Sequence, residues 1–231
     1  MLNHPDLDLV EWRLDSFSEM HGTPKTLDML RFLSVPDRKP VIATSRLKRD
    51  GGRFEGDEAQ RMHILERATE AGADWIDLEV GLDVGLYRRF LSTGCRLVVS
   101  HHDFSGTPAV SHLRRKLEQM AATGAHVVKI ATFARKPEDN LRVLELIAYG
   151  NKAFNVRVVA FCMGREGRWS RAVCLLLGSP WSYVCLPDQD VGAPGQLTVE
   201  EMRRLLELLA QNAGPCQPPG ATRLAHPTRN P

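Results

Sequence analysis

Seven short apolar runs punctuate this chain, and helical patterns lie between them. DLVEWRL (8–14), PVIATS (40–45), DWIDLEV (74–80), RLVVSHH (96–102), HVVKIAT (126–132), RVVAFCM (157–163) and WSYVCL (181–186) read as strands. DEAQRMHILERATEAG (57–72) sets Met62, Leu65, Ala68 and Thr69 on one helical face and stops at Gly72. PEDNLRVLELIAYG (137–150) opens with Pro137 and two acids and is expected to end at Gly150. TVEEMRRLLELLAQN (198–212) begins on a capping box of Thr198 and Glu201. Strands apolar nearly throughout, alternating with helices, imply a parallel sheet covered by helices.

No glycine-rich dinucleotide fingerprint or phosphate loop follows any strand. The polar residues sit instead in or at the ends of several strands. That distribution favours a (β/α) barrel, whose site is assembled from many strand ends, over a doubly wound open sheet. The chain has 231 residues, enough for one large domain. We place that domain at 1–211; the remainder, 212–231, holds five prolines and no period, and is expected to be a disordered tail.

A net charge of +2 gives no reason to expect a nucleic-acid partner. No apolar run approaches a membrane span, and the first residues lack the pattern of a signal peptide. Five cysteines without a CxxC pair argue against a disulfide framework or zinc cluster and for a reducing cytoplasm.

Within GAHVVKIATFA (124–134), Lys129 interrupts an apolar strand. It is either an edge lysine whose amine reaches water, or an inward-facing amine. In the second case desolvation and nearby cations would leave it uncharged and able to attack a carbonyl. VVSHHDF (98–104) supplies two histidines, of which only one can share the lysine's face, because neighbours on a strand point oppositely. Glu11 and Arg13 share a face by the same rule, Arg46 follows the second run, and Arg171 follows the sixth. Arginines converging on a barrel mouth suit a carboxylate or hydroxyls. Arg165 and Arg168 read as surface ion-pair residues.

In order, EWRLD (11–15), TSR with GG (44–46, 51–52), DWIDLE (74–79), SHHDF (100–104), VVKIA (127–131), MGREGRWSR (163–171) and APGQ (193–196) resemble the type I 3-dehydroquinate dehydratases of the shikimate pathway. The resemblance implies a (β/α)8 TIM-type barrel and a Schiff-base lyase acting on 3-dehydroquinate. It implies the Schiff-base lysine at Lys129, the general acid–base histidine at His102, and substrate contacts at Glu11, Arg13, Arg46, Arg171 and Gln196. It implies no metal or cofactor, because the imine replaces a Lewis acid, and it implies a homodimer. Another lysine-dependent barrel enzyme, such as an aldolase, and a non-catalytic relative that binds a hydroxy acid are the alternatives.

The sequence departs from the family pattern in three places. Asp50 stands where the family has a glutamate that orients the histidine, so Asp50 is expected in that role at longer range. Gly192 stands where the family has a substrate-contacting serine, and removes its hydroxyl. The first strand and helix of the family have no counterpart before Glu11, which leaves seven strands where a closed barrel has eight. We expect the true start to lie upstream of Met1.

Overall fold

Runs of branched and aromatic residues bounded by glycines and acids give short strands, and the long helical connection between each and the next is the crossover that parallel pairing requires. The computed structural model describes residues 4–186 and 192–211. Six strands, β1 (Val10–Arg13), β2 (Val41–Thr44), β3 (Trp75–Glu79), β4 (Arg96–Asp103), β5 (Val127–Phe133) and β6 (Arg157–Met163), form one sheet in the order of the chain. Every neighbouring pair is parallel. A sheet whose order never reverses has no topological switch point. That excludes the doubly wound alternative and leaves a curled half-barrel.

The helices are α1 (Leu14–His21), α2 (Thr23–Met29), α3 (Glu58–Glu70), α4 (Val84–Ser92), α5 (Val110–Ala121), α6 (Asp139–Phe154), α7 (Ser170–Leu176) and α8 (Val199–Gln211). Asp57 and Gln60 form a reciprocal capping box on α3, and Thr198 and Glu201 do the same on α8. The helix expected to stop at Gly150 continues to Phe154 and ends where Asn155 turns left-handed at φ 51°. Gly150 serves packing, not termination. A Cβ there would stand 2.3 Å from Val158 Cγ2, so its absence lets α6 lie against β6.

The seventh run shrinks to β7 (Val184–Cys185), which pairs in parallel with β8 (Leu197–Thr198), a strand the sequence does not signal. Among the described residues neither β1 nor β6 pairs with a further strand on its outer side. The lumen is therefore not closed. It forms a cleft of about 1640 Å³ running from the C-terminal ends of the strands down to Trp75, Cys95 and Arg96 at the other end. The proposed tail, 212–231, lies outside the described residues.

Candidate active site

Period two along each strand decides which side chains enter the lumen. Glu11, Asp77, Ser100 and Lys129 all do so, on β1, β3, β4 and β5. Lys129 pairs in register with Ser100 across the β4–β5 ladder. The lysine is 5% exposed, and its Nζ lies 3.6 Å from Glu11 Oε1 and 3.6 Å from Asp77 Oδ2. It also rests 4.0 Å from the centroid of the Tyr183 ring. Its nearest charged partners are thus two carboxylates, not the cations expected from the sequence.

Those carboxylates belong to a buried network. Arg46 Nη2 ion-pairs with Asp77 Oδ2 at 2.8 Å, and its Nη1 donates to Glu79 at 2.9 Å and to Ser100 Oγ at 2.6 Å. Glu79 also accepts from Arg61 of α3 at 2.5 Å. Ser100 Oγ donates to Asp77 Oδ1 at 2.5 Å, and Thr44 donates to Glu11 at 2.9 Å. Burial alone would lower the Arg46 guanidinium, but Asp77, Glu79 and Glu11 hold it above its ordinary value. Burial alone would raise Asp77, but Arg46, Lys129 and the Ser100 hydroxyl keep it below the usual carboxylate range.

His102 and His101 point to opposite sides of β4. His102 lines the cleft with Lys129 and His101 does not; burial lowers the His101 imidazole, with Lys116 and His112 of α5 acting with it and Asp103 and Asp50 against it. Burial, reinforced by the Arg46 and Lys129 cations, drives the His102 imidazole well below its ordinary value of 6.5. It is a neutral base at neutral pH. Its Nδ1 is buried without a hydrogen-bond partner. Asp50 lines the same cleft, but its carboxylate pairs with Arg49 at 3.4 Å and makes no direct hydrogen bond to that nitrogen.

The two glycines after Asp50 have steric causes. Gly51 has φ +78°, and a Cβ on it would meet the Phe104 ring at 2.3 Å. Phe104 in turn stacks on His102 with ring centroids 6.4 Å apart. A Cβ on Gly52 would meet the Arg46 carbonyl at 2.1 Å.

The other arginines differ in how far they are committed. Arg13 is held in a fork by Asp15, at 2.9 and 2.6 Å. Arg168 pairs with Glu201 on the surface, as its reading required. Arg171 is 1% exposed, lies over the Phe161 ring at 4.4 Å, donates through Nη2 to the Pro194 carbonyl at 3.3 Å, and has no carboxylate partner among the described residues. Burial pushes its guanidinium down to about 10, and its Nε is unpartnered. A buried cation without a counter-charge is costly, and a bound anion removes the cost. Gln196 lines the same cleft, on the loop that Gly164 and Pro194 tie to β6 through a 3.0 Å hydrogen bond. The Gln196 Oε1 is also unpartnered. A Cβ on Gly192 would approach that oxygen to 3.4 Å, so the glycine leaves space next to it.

All eight residues proposed from the sequence line one cleft. The sequence reading missed Asp77, Glu79, Ser100, Arg61 and Tyr183. Its available signal was the D-x-E spacing within DWIDLE, which puts two acids on one face of an otherwise apolar strand.

A singly wound parallel α/β sheet with an arginine-rimmed lumen around one buried lysine defines a barrel-type enzyme architecture. The sequence matches the family model for type I 3-dehydroquinase over residues 2–213. It is 51% identical over 208 residues to a 3-dehydroquinate dehydratase of Syntrophobacter fumaroxidans, covering 90% of this chain and 89% of that one. It is 40% identical over 202 residues to that of Methanopyrus kandleri, covering 87% of each. The crystal structure of 3-dehydroquinate dehydratase from Geobacillus kaustophilus superposes with a TM-score of 0.81 at 27% identity, over 90% of this chain and 82% of that one. The chain belongs to the type I 3-dehydroquinase family and is therefore an enzyme of the 3-dehydroquinate dehydratase kind.

Proposed function

We propose that this protein dehydrates 3-dehydroquinate to 3-dehydroshikimate by syn elimination through an imine on Lys129. The observation that carries the reading is one buried lysine facing the same lumen as a neutral histidine. The lysine ammonium first loses a proton to solvent in the open cleft. The free electron pair of Nζ then attacks the ketone carbon, and the resulting carbinolamine loses water to give a protonated imine. That cation acidifies the adjacent carbon. His102 takes the proton there, and the C–H electrons move into the enamine. Collapse of the enamine expels the β-hydroxyl, which leaves as water with the proton held by His102. A second water hydrolyses the imine and frees Lys129. One imidazole acting as base and then acid on the same face accounts for syn geometry.

The unpartnered Arg171 Nε and Gln196 Oε1 suit the substrate carboxylate and a hydroxyl, and Arg13 and Glu11 line the same cleft. Arg171→Gln is expected to raise KM by roughly 10- to 100-fold with kcat little changed, because a charge-assisted fork to a carboxylate is lost in ground and transition state alike. Steady-state kinetics decides it; a kcat loss at unchanged KM would remove Arg171 from carboxylate binding. Borohydride added with the substrate tests the main reading, through an adduct located by mass spectrometry.

We read the protein as an enzyme of aromatic amino-acid biosynthesis that acts in the cytoplasm. No helix among the described residues is long and apolar enough to cross a membrane. We also read the protein as a homodimer. Leu176 and Leu177 at the end of α7 and Leu205 and Leu209 of α8 are exposed apolar residues that a second copy could cover. Sedimentation as a single 25.8 kDa chain at micromolar concentration would rule the dimer out.

A further inference from the structure

We propose that Asp77 is a positioning residue for Lys129, a fixed negative charge behind the amine that holds it in place and governs the pH at which it becomes available to the substrate. The inference rests on the imine reading above and extends it to a residue that never touches substrate.

The two carboxylates beside Lys129 are not equivalent. Glu11 is 19% exposed in its side chain and borders the cleft, where a substrate can reach it. Asp77 is fully buried, with a polar neighbour beside each oxygen, although Oδ2 makes no hydrogen bond among the described residues. Oδ1 accepts from Ser100 at 2.5 Å, and Oδ2 is ion-paired with Arg46 at 2.8 Å. A buried carboxylate hydrogen-bonded through one oxygen and ion-paired through the other keeps its place when the amine changes charge. It therefore favours the positively charged nitrogen at each stage, first as ammonium and then as protonated imine.

Other groups around the amine set the balance. Glu11 on β1 adds to the effect of Asp77. Arg46 after β2 opposes it from 2.8 Å beyond Asp77, and Glu79 on β3 offsets Arg46. His102 on β4 is neutral, and Tyr183 presents its ring face. Arg13 and Arg171 line the same cleft. With Asp77 made neutral, Arg46 and Glu79 stay paired, and one anion of the two at 3.6 Å is lost from the lysine.

The test is the rate of borohydride-trapped adduct formation against pH in the full-length chain. Asp77→Asn keeps the shape and can still accept from Ser100. Its profile is expected to be displaced to lower pH, with a lower plateau for turnover and a KM little changed. An unmoved profile in folded Asp77→Asn overturns the proposal. Wild-type protein that traps no adduct overturns the imine reading instead, so the two failures are distinct. Ser100→Ala gives an independent reading should Asp77→Asn not fold. Loss of the hydroxyl leaves the Asp77 charge less shared, and the profile is expected to move to higher pH. No movement there counts against Asp77 equally.

Discussion

Borohydride added with 3-dehydroquinate is expected to leave one adduct, on Lys129, and Lys129→Met to leave none while losing dehydration by about five orders of magnitude or more. The physical ground is the difference between this lysine and the others. Lys48, for example, has a side chain 72% exposed and pairs with Glu55 in solvent. Such an amine is hydrated and mobile, and no pocket holds a ketone against it. Lys129 is fixed by Glu11, Asp77 and the Tyr183 ring within a cleft large enough for the substrate. A trapped secondary amine forms only where a protonated imine stands long enough to take hydride. Methionine fills the volume of the stem, but leaves Glu11 and Asp77 without their shared cation. Removing one partner of a buried ion pair costs about 3–5 kcal/mol, so a lowered melting temperature accompanies the loss of activity. An adduct found on another lysine, or turnover preserved in Lys129→Met, would refute the mechanism outright.

Much of this arrangement was readable from residue order alone, for reasons that differ between elements. The six sheet strands were legible because nearly continuous apolar runs such as RVVAFCM have few other uses, and parallel pairing follows from the helices between them. Period two was enough to send one histidine of SHHDF to each side of β4, and the structure puts His102 in the lumen and His101 under α5. What stayed hidden was what depends on neighbours from distant strands. The two acids beside Lys129 come from β1 and β3, and no property of VVKIA announces them. The same holds for β8, whose two residues pair only because the loop through Gln196 returns them to β7. Gly150 was misleading for a related reason: a glycine that ends a helix and one that admits a strand look alike until Val158 is placed against it. Asp50 shows the limit from the other side. The motif position is filled by a carboxylate, but its shorter reach and its pairing with Arg49 leave the His102 Nδ1 without that bond.

His102→Ala is expected to separate the two halves of the reaction, keeping the trapped adduct on Lys129 while dehydration falls by about 10²- to 10⁴-fold. Imine formation needs the amine and the carbonyl, and the cleft can supply water for its proton transfers. Removal of a proton from carbon needs a base fixed beside it. The environment of His102 suits that task, because burial and the cations of Arg46 and Lys129 all disfavour the imidazolium. The sign follows directly. A base whose folded value is depressed stays unprotonated until the pH drops below the ordinary imidazole value of 6.5. The acid limb assigned to His102 in wild-type kcat is therefore expected to lie below that value. It should be absent from the residual activity of the alanine variant. His101→Ala is the control, since that ring faces α5 and not the lumen, and its rate is expected to stay within a few-fold of wild type. A wild-type acid limb near neutrality, or a larger loss in His101→Ala than in His102→Ala, would mean that proton transfer runs through a different group. The lumen-facing imidazole would then be left with a binding role alone.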